Sequence, residues 1–137
     1  MATKTFNKVN SLSENLAEKL IDLSSNALTV ALTNTAHTST WDELADLTQI
    51  SYTNLSSRVL TVTSSAQTSG TYKLVLQDLV LTASGSVGPF RYIYIYDDNS
   101  TGDKLIGYID WGSSITMSAG QILTLDFDAS NGAITLA

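Results

Sequence analysis

Phe90-Arg91-Tyr92-Ile93-Tyr94-Ile95-Tyr96, followed by Asp97-Asp98-Asn99-Ser100-Thr101-Gly102-Asp103 and then Lys104-Leu105-Ile106-Gly107-Tyr108-Ile109-Asp110-Trp111, reads as a β-hairpin that is apolar on both faces. With Asp97 opposite Lys104, antiparallel pairing sets Tyr96 against Leu105, Tyr94 against Gly107, Tyr92 against Ile109 and Phe90 against Trp111. Strand side chains alternate with period two. One face therefore holds Phe90, Tyr92, Tyr94, Tyr96, Leu105, Ile109 and Trp111, and the other Ile93, Ile95, Ile106 and Tyr108. Arg91 and Asp110 complete the register as a cross-strand ion pair. At roughly 150–250 Å² per aromatic side chain, the Phe/Tyr/Trp row alone matches or exceeds the largest apolar patch a soluble monomer leaves bare. Both faces need cover, from a second layer of the same chain or from another subunit. The Ile93/Ile95/Ile106 face is expected to be the protomer's own core. The aromatic face is expected to be closed partly by an N-terminal helix and partly by a neighbour.

Outward from this hairpin the chain is mostly strand-like. Leu28, Val30 and Leu32 alternate with Thr29, Ala31 and Thr33. Arg58 to Ser64 reads as a strand, and Thr71 to Thr82 as a longer one that a bulge or bend near Gln77-Asp78 re-aims. After the hairpin, Gly112-Ser113-Ser114 interrupts before Ile115-Thr116-Met117. Ile122 to Asp128 then alternates, with Leu123, Leu125 and Phe127 on one side. Asn131-Gly132 predicts a type I′ connection into Ala133 to Leu136.

The first 26 residues differ. Residues 1–10 form an arm in which Thr3 to Val9 suits a short strand, a segment prone to disorder alone and to order on a neighbour. Ser11 and Glu14 have capping-box spacing, and Leu12, Leu16, Leu20 and Leu23 share one stripe, predicting an amphipathic helix over 12–23 that ends at Ser24-Ser25-Asn26. Thr40 and Glu43 repeat that spacing ahead of a helical turn from Trp41 to Leu47. The pattern is mainly β: one domain over residues 11–137, seven to nine short strands in an antiparallel β-sandwich, with a jelly-roll-like winding open, plus helix 12–23.

Composition narrows the function. A chain of 137 residues is long enough to bury about two-thirds of its unfolded surface. It has no cysteine, so neither disulfides nor a thiolate metal site are available, which fits a reducing compartment. Seven basic against thirteen acidic residues give a net charge of −6 and no basic cluster, which opposes nucleic-acid binding. No secretory signal or membrane-spanning run is evident. Eighteen serines and eighteen threonines give a neutral, hydroxylated surface.

Few residues carry a chemical signature. His37, the single histidine, precedes Asp42 by five residues, but serines are too abundant for their proximity to mark a catalytic triad. There is no nucleophile elbow, phosphate loop or zinc-protease motif, and no catalytic residue, cofactor or metal is expected. Asp97, Asn99, Thr101 and Gly102 match positions one, three, five and six of a calcium loop. Position twelve, however, falls on Tyr108, so hairpin-tip chemistry is the preferred reading. Asp126, Asp128 and Ser130 read as the polar face of a strand. The aromatic row has three readings: core, subunit interface, or a platform for stacking sugars. The candidate interface residues are Phe6, Trp41, Phe90, Tyr92, Tyr94, Tyr96 and Trp111.

Four phrases carry a resemblance: Ala27-Leu28-Thr29-Val30-Ala31-Leu32-Thr33-Asn34-Thr35-Ala36, Gln67-Thr68-Ser69-Gly70-Thr71-Tyr72-Lys73-Leu74-Val75-Leu76, Gly88-Pro89-Phe90-Arg91-Tyr92 and Phe127-Asp128-Ala129-Ser130-Asn131-Gly132. In content and order they resemble a group of small virion structural proteins of tailed bacteriophages, most closely a capsid decoration, or cement, protein. The resemblance implies a non-enzymatic protein on the capsid exterior, held in the host cytoplasm before assembly. It further implies a homotrimer whose partner is the major capsid protein. A tail or fibre component is the nearest alternative. A host-glycan-binding module is the alternative of another class, favoured only if Trp41, Trp111 and the tyrosines are exposed.

Overall fold

The computed structural model describes residues 4–24 and 27–136. Residues 1–3 of the arm and the expected helix stop at Ser25-Asn26 lie outside the described residues. The chain is mainly β and antiparallel, as its alternation predicts. In order it forms β1 (Phe6–Lys8), α1 (Leu12–Ala17), β2 (Leu28–Thr33), β3 (Val62–Thr68), β4 (Thr71–Leu76), β5 (Leu79–Thr82), β6 (Val87–Asp97), β7 (Leu105–Met117), β8 (Ile122–Leu125) and β9 (Ile134–Leu136). The strands make a four-stranded sheet β1-β7-β6-β2, a three-stranded sheet β3-β4-β9 and a two-stranded ribbon β5-β8, giving a sandwich-like arrangement. The break at Gln77-Asp78 is where the chain leaves the three-stranded sheet for the ribbon, and Asp78 Oδ1 there accepts the backbone N–H of Phe127 at 2.8 Å.

The β6–β7 hairpin is the middle of the largest sheet. Tyr96 pairs with Leu105 as expected, but the next pair is Ile95 with Gly107, so Ile106 is an extra residue on β7. Beyond this bulge three pairings move by one, Tyr94 opposing Tyr108, Ile93 opposing Ile109 and Tyr92 opposing Asp110, and a further irregularity sets Phe90 opposite Ile115 instead of Trp111. A one-residue shift exchanges faces. Tyr108 therefore joins the tyrosine face, and Ile109 joins Ile93 and Ile95. β7 also continues through Gly112, at φ +98°, so the expected interruption at 112–114 is an irregularity within one strand.

One protomer buries much of both faces, while Tyr92, Tyr108 and Trp111 stay half-buried. Ile93, Ile95 and Ile109 are buried on one side, and the bulge residue Ile106 and Phe90, Tyr94 and Tyr96 are buried as well. All six residues of β2 are buried. Its outer backbone edge is occupied by the 49–60 segment, through Val30 N–H to Arg58 O at 2.9 Å and Leu60 N–H to Leu28 O at 2.8 Å.

Other local expectations change, beginning with the strand expected over Arg58 to Ser64, which is displaced to β3 (Val62–Thr68). The helix stops at Ala17 rather than 23: Lys19 takes φ +67°, and the N–H groups of Leu20 and Ile21 both turn back to the Asn15 carbonyl. Leu20 is then exposed while Ile21 and Leu23 are buried, a period-two pattern that a helix cannot provide. Ser11 stands at the N-cap with helical dihedrals and makes no capping bond. The helical turn expected over 41–47 is a single 3-10 turn, Leu44–Asp46, whose capping box uses Glu43 and Asp46 instead of Thr40 and Glu43. At Asn131-Gly132 only the glycine has positive φ, so the turn is not type I′, and β9 pairs with β4 rather than β8.

Gly107 lets β1 dock. A Cβ there would come within 2.5 Å of both the Asn7 carbonyl and the Phe6 ring. Gly107→Ala is expected to lift β1 and cost about 1–3 kcal/mol, the usual penalty of overpacking, read as a lower thermal midpoint. The companion Phe6→Ala, which empties the space, should recover part of that loss.

Candidate functional site

The residues with chemical potential converge where the 34–47 loop folds over the hairpin. The loop leaves β2 at Asn34 and is drawn onto β7 by backbone bonds from Leu105 N–H to Asp42 O (2.8 Å) and from Leu44 N–H to Asp103 O (2.9 Å). This docking places His37 and Trp41 on the tyrosine face. His37 stacks on Tyr108 at 4.3 Å and 22°, Trp41 meets His37 edge-on at 5.8 Å and 86°, and Tyr108 stacks on Tyr94 at 5.4 Å. The cover expected from the helix and a neighbour is, over Tyr94 and Tyr108, supplied by this loop.

A hydrogen bond of 2.8 Å joins His37 Nδ1 to the Tyr94 hydroxyl. Burial, reinforced by Tyr108 and Tyr92, pushes the Tyr94 pKa far above its ordinary value, so the phenol keeps its proton. Burial also lowers the His37 pKa from the usual 6.5. Both shifts favour a neutral imidazole accepting from a neutral phenol. Asp42 does not orient this imidazole. Its carboxylate is taken by Asn15 Nδ2 at 2.7 Å and Lys104 Nζ at 2.7 Å.

Lys104 is the centre of a second cluster. Its ammonium also reaches Glu43 Oε1 at 2.8 Å, and its side chain is only 13% exposed against 35% for Asp42 and 41% for Glu43. Hydrogen bonds to Asp42 and then Glu43 push its pKa well above the lysine range. Burial alone would raise Asp42, but the bonds from Lys104 and Asn15 outweigh it and hold the carboxyl below its ordinary value. The cluster thus ties α1, the 34–47 loop and the hairpin together. Sequence reading missed it, because a lysine beside a hairpin tip and an acidic pair about sixty residues earlier give no local signal.

At the hairpin tip Asp97 is buried and turned inward, accepting the N–H of Asp22 at 3.0 Å and of Asn99 at 3.1 Å. Asp128 builds its own loop, accepting the N–H of Ser130 and of Asn131, each at 2.9 Å. Among the described residues no group of three or more His, Asp or Glu side chains is placed to hold a metal ion.

Of the candidate interface residues, Phe90, Tyr94 and Tyr96 are buried in the protomer, while Phe6, Trp41, Tyr92 and Trp111 are half-buried. Phe6 covers Gly107, Trp41 belongs to the histidine stack, and the Lys4 ammonium lies 5.0 Å from the Trp111 ring. The Arg91–Asp110 ion pair forms as expected, two-pronged at 2.8 and 3.1 Å. What this arrangement does chemically is join segments distant in sequence through bonds that stay made. No family model, curated protein or solved structure matches the chain.

Two outcomes follow from the geometry. His37 has a lower pKa folded than unfolded, so the unfolded chain binds the extra proton. The histidine contribution to stability is therefore complete above the unfolded value of 6.5 and is lost as pH falls through it toward the folded value. Denaturant midpoints measured from about pH 8 to about pH 5 should fall for the wild type. His37→Phe should start lower, because the Tyr94 hydroxyl loses its partner, yet lack this component of the fall. Lys104→Met, which leaves two carboxylates facing each other, should cost about 1–2 kcal/mol after allowance for their exposure, read as a thermal shift that shrinks in high salt.

Proposed function

We propose that this chain is a non-enzymatic structural protein of a bacteriophage virion. It decorates the outside of the capsid and stabilises it through contacts among its own copies and with the major capsid protein. The observation that carries this reading is the fate of the chemically able groups. The only imidazole is held in an aromatic stack, the Lys104 ammonium in an ion cluster, and the Asp97 and Asp128 carboxylates on backbone N–H groups. Each is used to join parts of the fold.

The phrases that resemble virion proteins support the reading by their positions. Residues 27–36 are β2 and the start of the covering loop, residues 67–76 the β3–β4 hairpin, residues 88–92 the entry to β6, and residues 127–132 the loop that Asp128 builds. All four are framework. Antiparallel sheets, a net charge of −6 and no cysteine suit a protein that stays soluble, then remains in one contact for the life of a particle.

The test is quantitative mass spectrometry of purified phage particles with a labelled standard of this chain. Hundreds of copies per particle are expected. A few to tens would transfer the chain to the tail, and absence from particles would overturn the virion reading.

A further inference from the structure

We infer that copies of this chain meet through one charge-poor end of the molecule, formed by residues 49–61, 79–90 and 111–125, and not through the tyrosine face. The inference rests on the structural role proposed above and names the surface that serves it.

These three stretches total 40 residues and hold a single charged residue, Arg58, where the chain's 15% average would give about six. The fold brings them together. Ser56 N–H bonds to Thr82 O at 3.0 Å, Ser84 N–H to Asn54 O at 2.8 Å and Ala83 N–H to Gln121 O at 2.9 Å, while β5 pairs along β8 and Val87 pairs with Met117. Arg58 is turned inward, with its guanidinium 3.7 Å from the centre of the Tyr52 ring and donating to the Val30 carbonyl.

The same end carries three of the four large apolar side chains exposed among the described residues: Val59 at 51%, Val80 at 48% and Ile122 at 63%. Val80 pairs with Thr124 and Ile122 with Thr82, which puts Val80 and Ile122 on one outward face of the β5–β8 ribbon, opposite buried Leu81, Leu123 and Leu125. β8 is also an edge strand, Ile122-Leu123-Thr124-Leu125, without the lysine, proline or inward charge that normally protects an edge from pairing. The β3–β4 hairpin is also poor in charge, but it exposes no large apolar side chain.

Charge selects the occupant. A partner of opposite sign gains nothing from a surface without charge. Another copy carries the same −6, but none of its acidic residues lies within these stretches. Of those that border them, Asp110 is paired with Arg91 and Asp78 accepts the Phe127 N–H, so repulsion between copies is smallest here. Interfaces between protein subunits show this same depletion of charge at their centres.

Sedimentation velocity across micromolar concentrations tests the assignment, using the wild type, Ile122→Lys, Val80→Lys and the control Leu20→Lys, which alters the one exposed large apolar residue elsewhere. Wild type and control should sediment as multiples of 14.7 kDa. The two β5–β8 variants should weaken association by about tenfold or more with unchanged circular dichroism. Hydrogen exchange on the wild type alone gives a second reading that no misfolded variant can confuse, since β8 amides should gain protection as concentration rises. A wild type that stays monomeric, an oligomer indifferent to both lysines, or β8 exchange independent of concentration overturns the inference. Detection in particles is scored separately. A chain present at hundreds of copies with an indifferent oligomer loses this surface but keeps its role, whereas an oligomer that behaves as expected but is missing from particles loses only the virion assignment.

Discussion

The extra residue at Ile106 sets the chemistry of both sides of the central hairpin. Without it, Tyr108 would lie among isoleucines and Ile109 among tyrosines. With it, each face is uniform beyond the bulge: Ile93, Ile95 and Ile109 on one side, Tyr92, Tyr94 and Tyr108 on the other. A uniform aliphatic face packs without unsatisfied polar atoms, and each fully buried side chain of this kind contributes on the order of 1.5–3 kcal/mol. A uniform tyrosine face needs something different, rings to stack on and an acceptor for each buried hydroxyl. The loop after β2 supplies both, an imidazole face for Tyr108 and an imidazole nitrogen for the Tyr94 hydroxyl.

That loop is short of its own regular structure, so its position is fixed from outside. Backbone bonds from Leu44 and Leu105 register it against the hairpin tip, and Lys104 pins its two carboxylates. The ion cluster and the histidine stack are therefore two ends of one clasp. An exposed salt bridge contributes little, but a lysine only 13% exposed with two partners fixes the orientation of the loop against the hairpin. Groups that serve catalysis in other settings are here engaged in contacts that join distant parts of the fold.

Much of the secondary structure is written locally. Alternation located the hairpin, β2 and β8, and the break at Gln77-Asp78 marked where the chain changes sheets. The errors share a cause, in that distant contacts overrode a local pattern. The leucine stripe through Leu20 and Leu23 promised a helix to 23, but burial of Ile21 and Leu23 demanded extended chain after Lys19. Gly112 reads as a strand breaker and is absorbed as an irregularity because β6 continues beside it. Asn131-Gly132 reads as a tight hairpin, but Asp128 gathers the loop and sends β9 to β4. The candidate site was the least legible. His37 and Tyr94 are 57 residues apart and Asp42 and Lys104 are 62, so only the topology brings either pair together.

The order of the strands also governs how the molecule is made. Phe6 on β1 pairs with Ile109 on β7, and Tyr72 on β4 pairs with Leu136 on β9. Neither sheet is complete while the second half of the chain is still emerging from the ribosome. The early strands must wait with their hydrogen-bonding edges open, and the entropy of closing loops this long is spent before the contacts that reward it exist. Completion of both sheets therefore depends on strands far apart in the chain meeting across long loops.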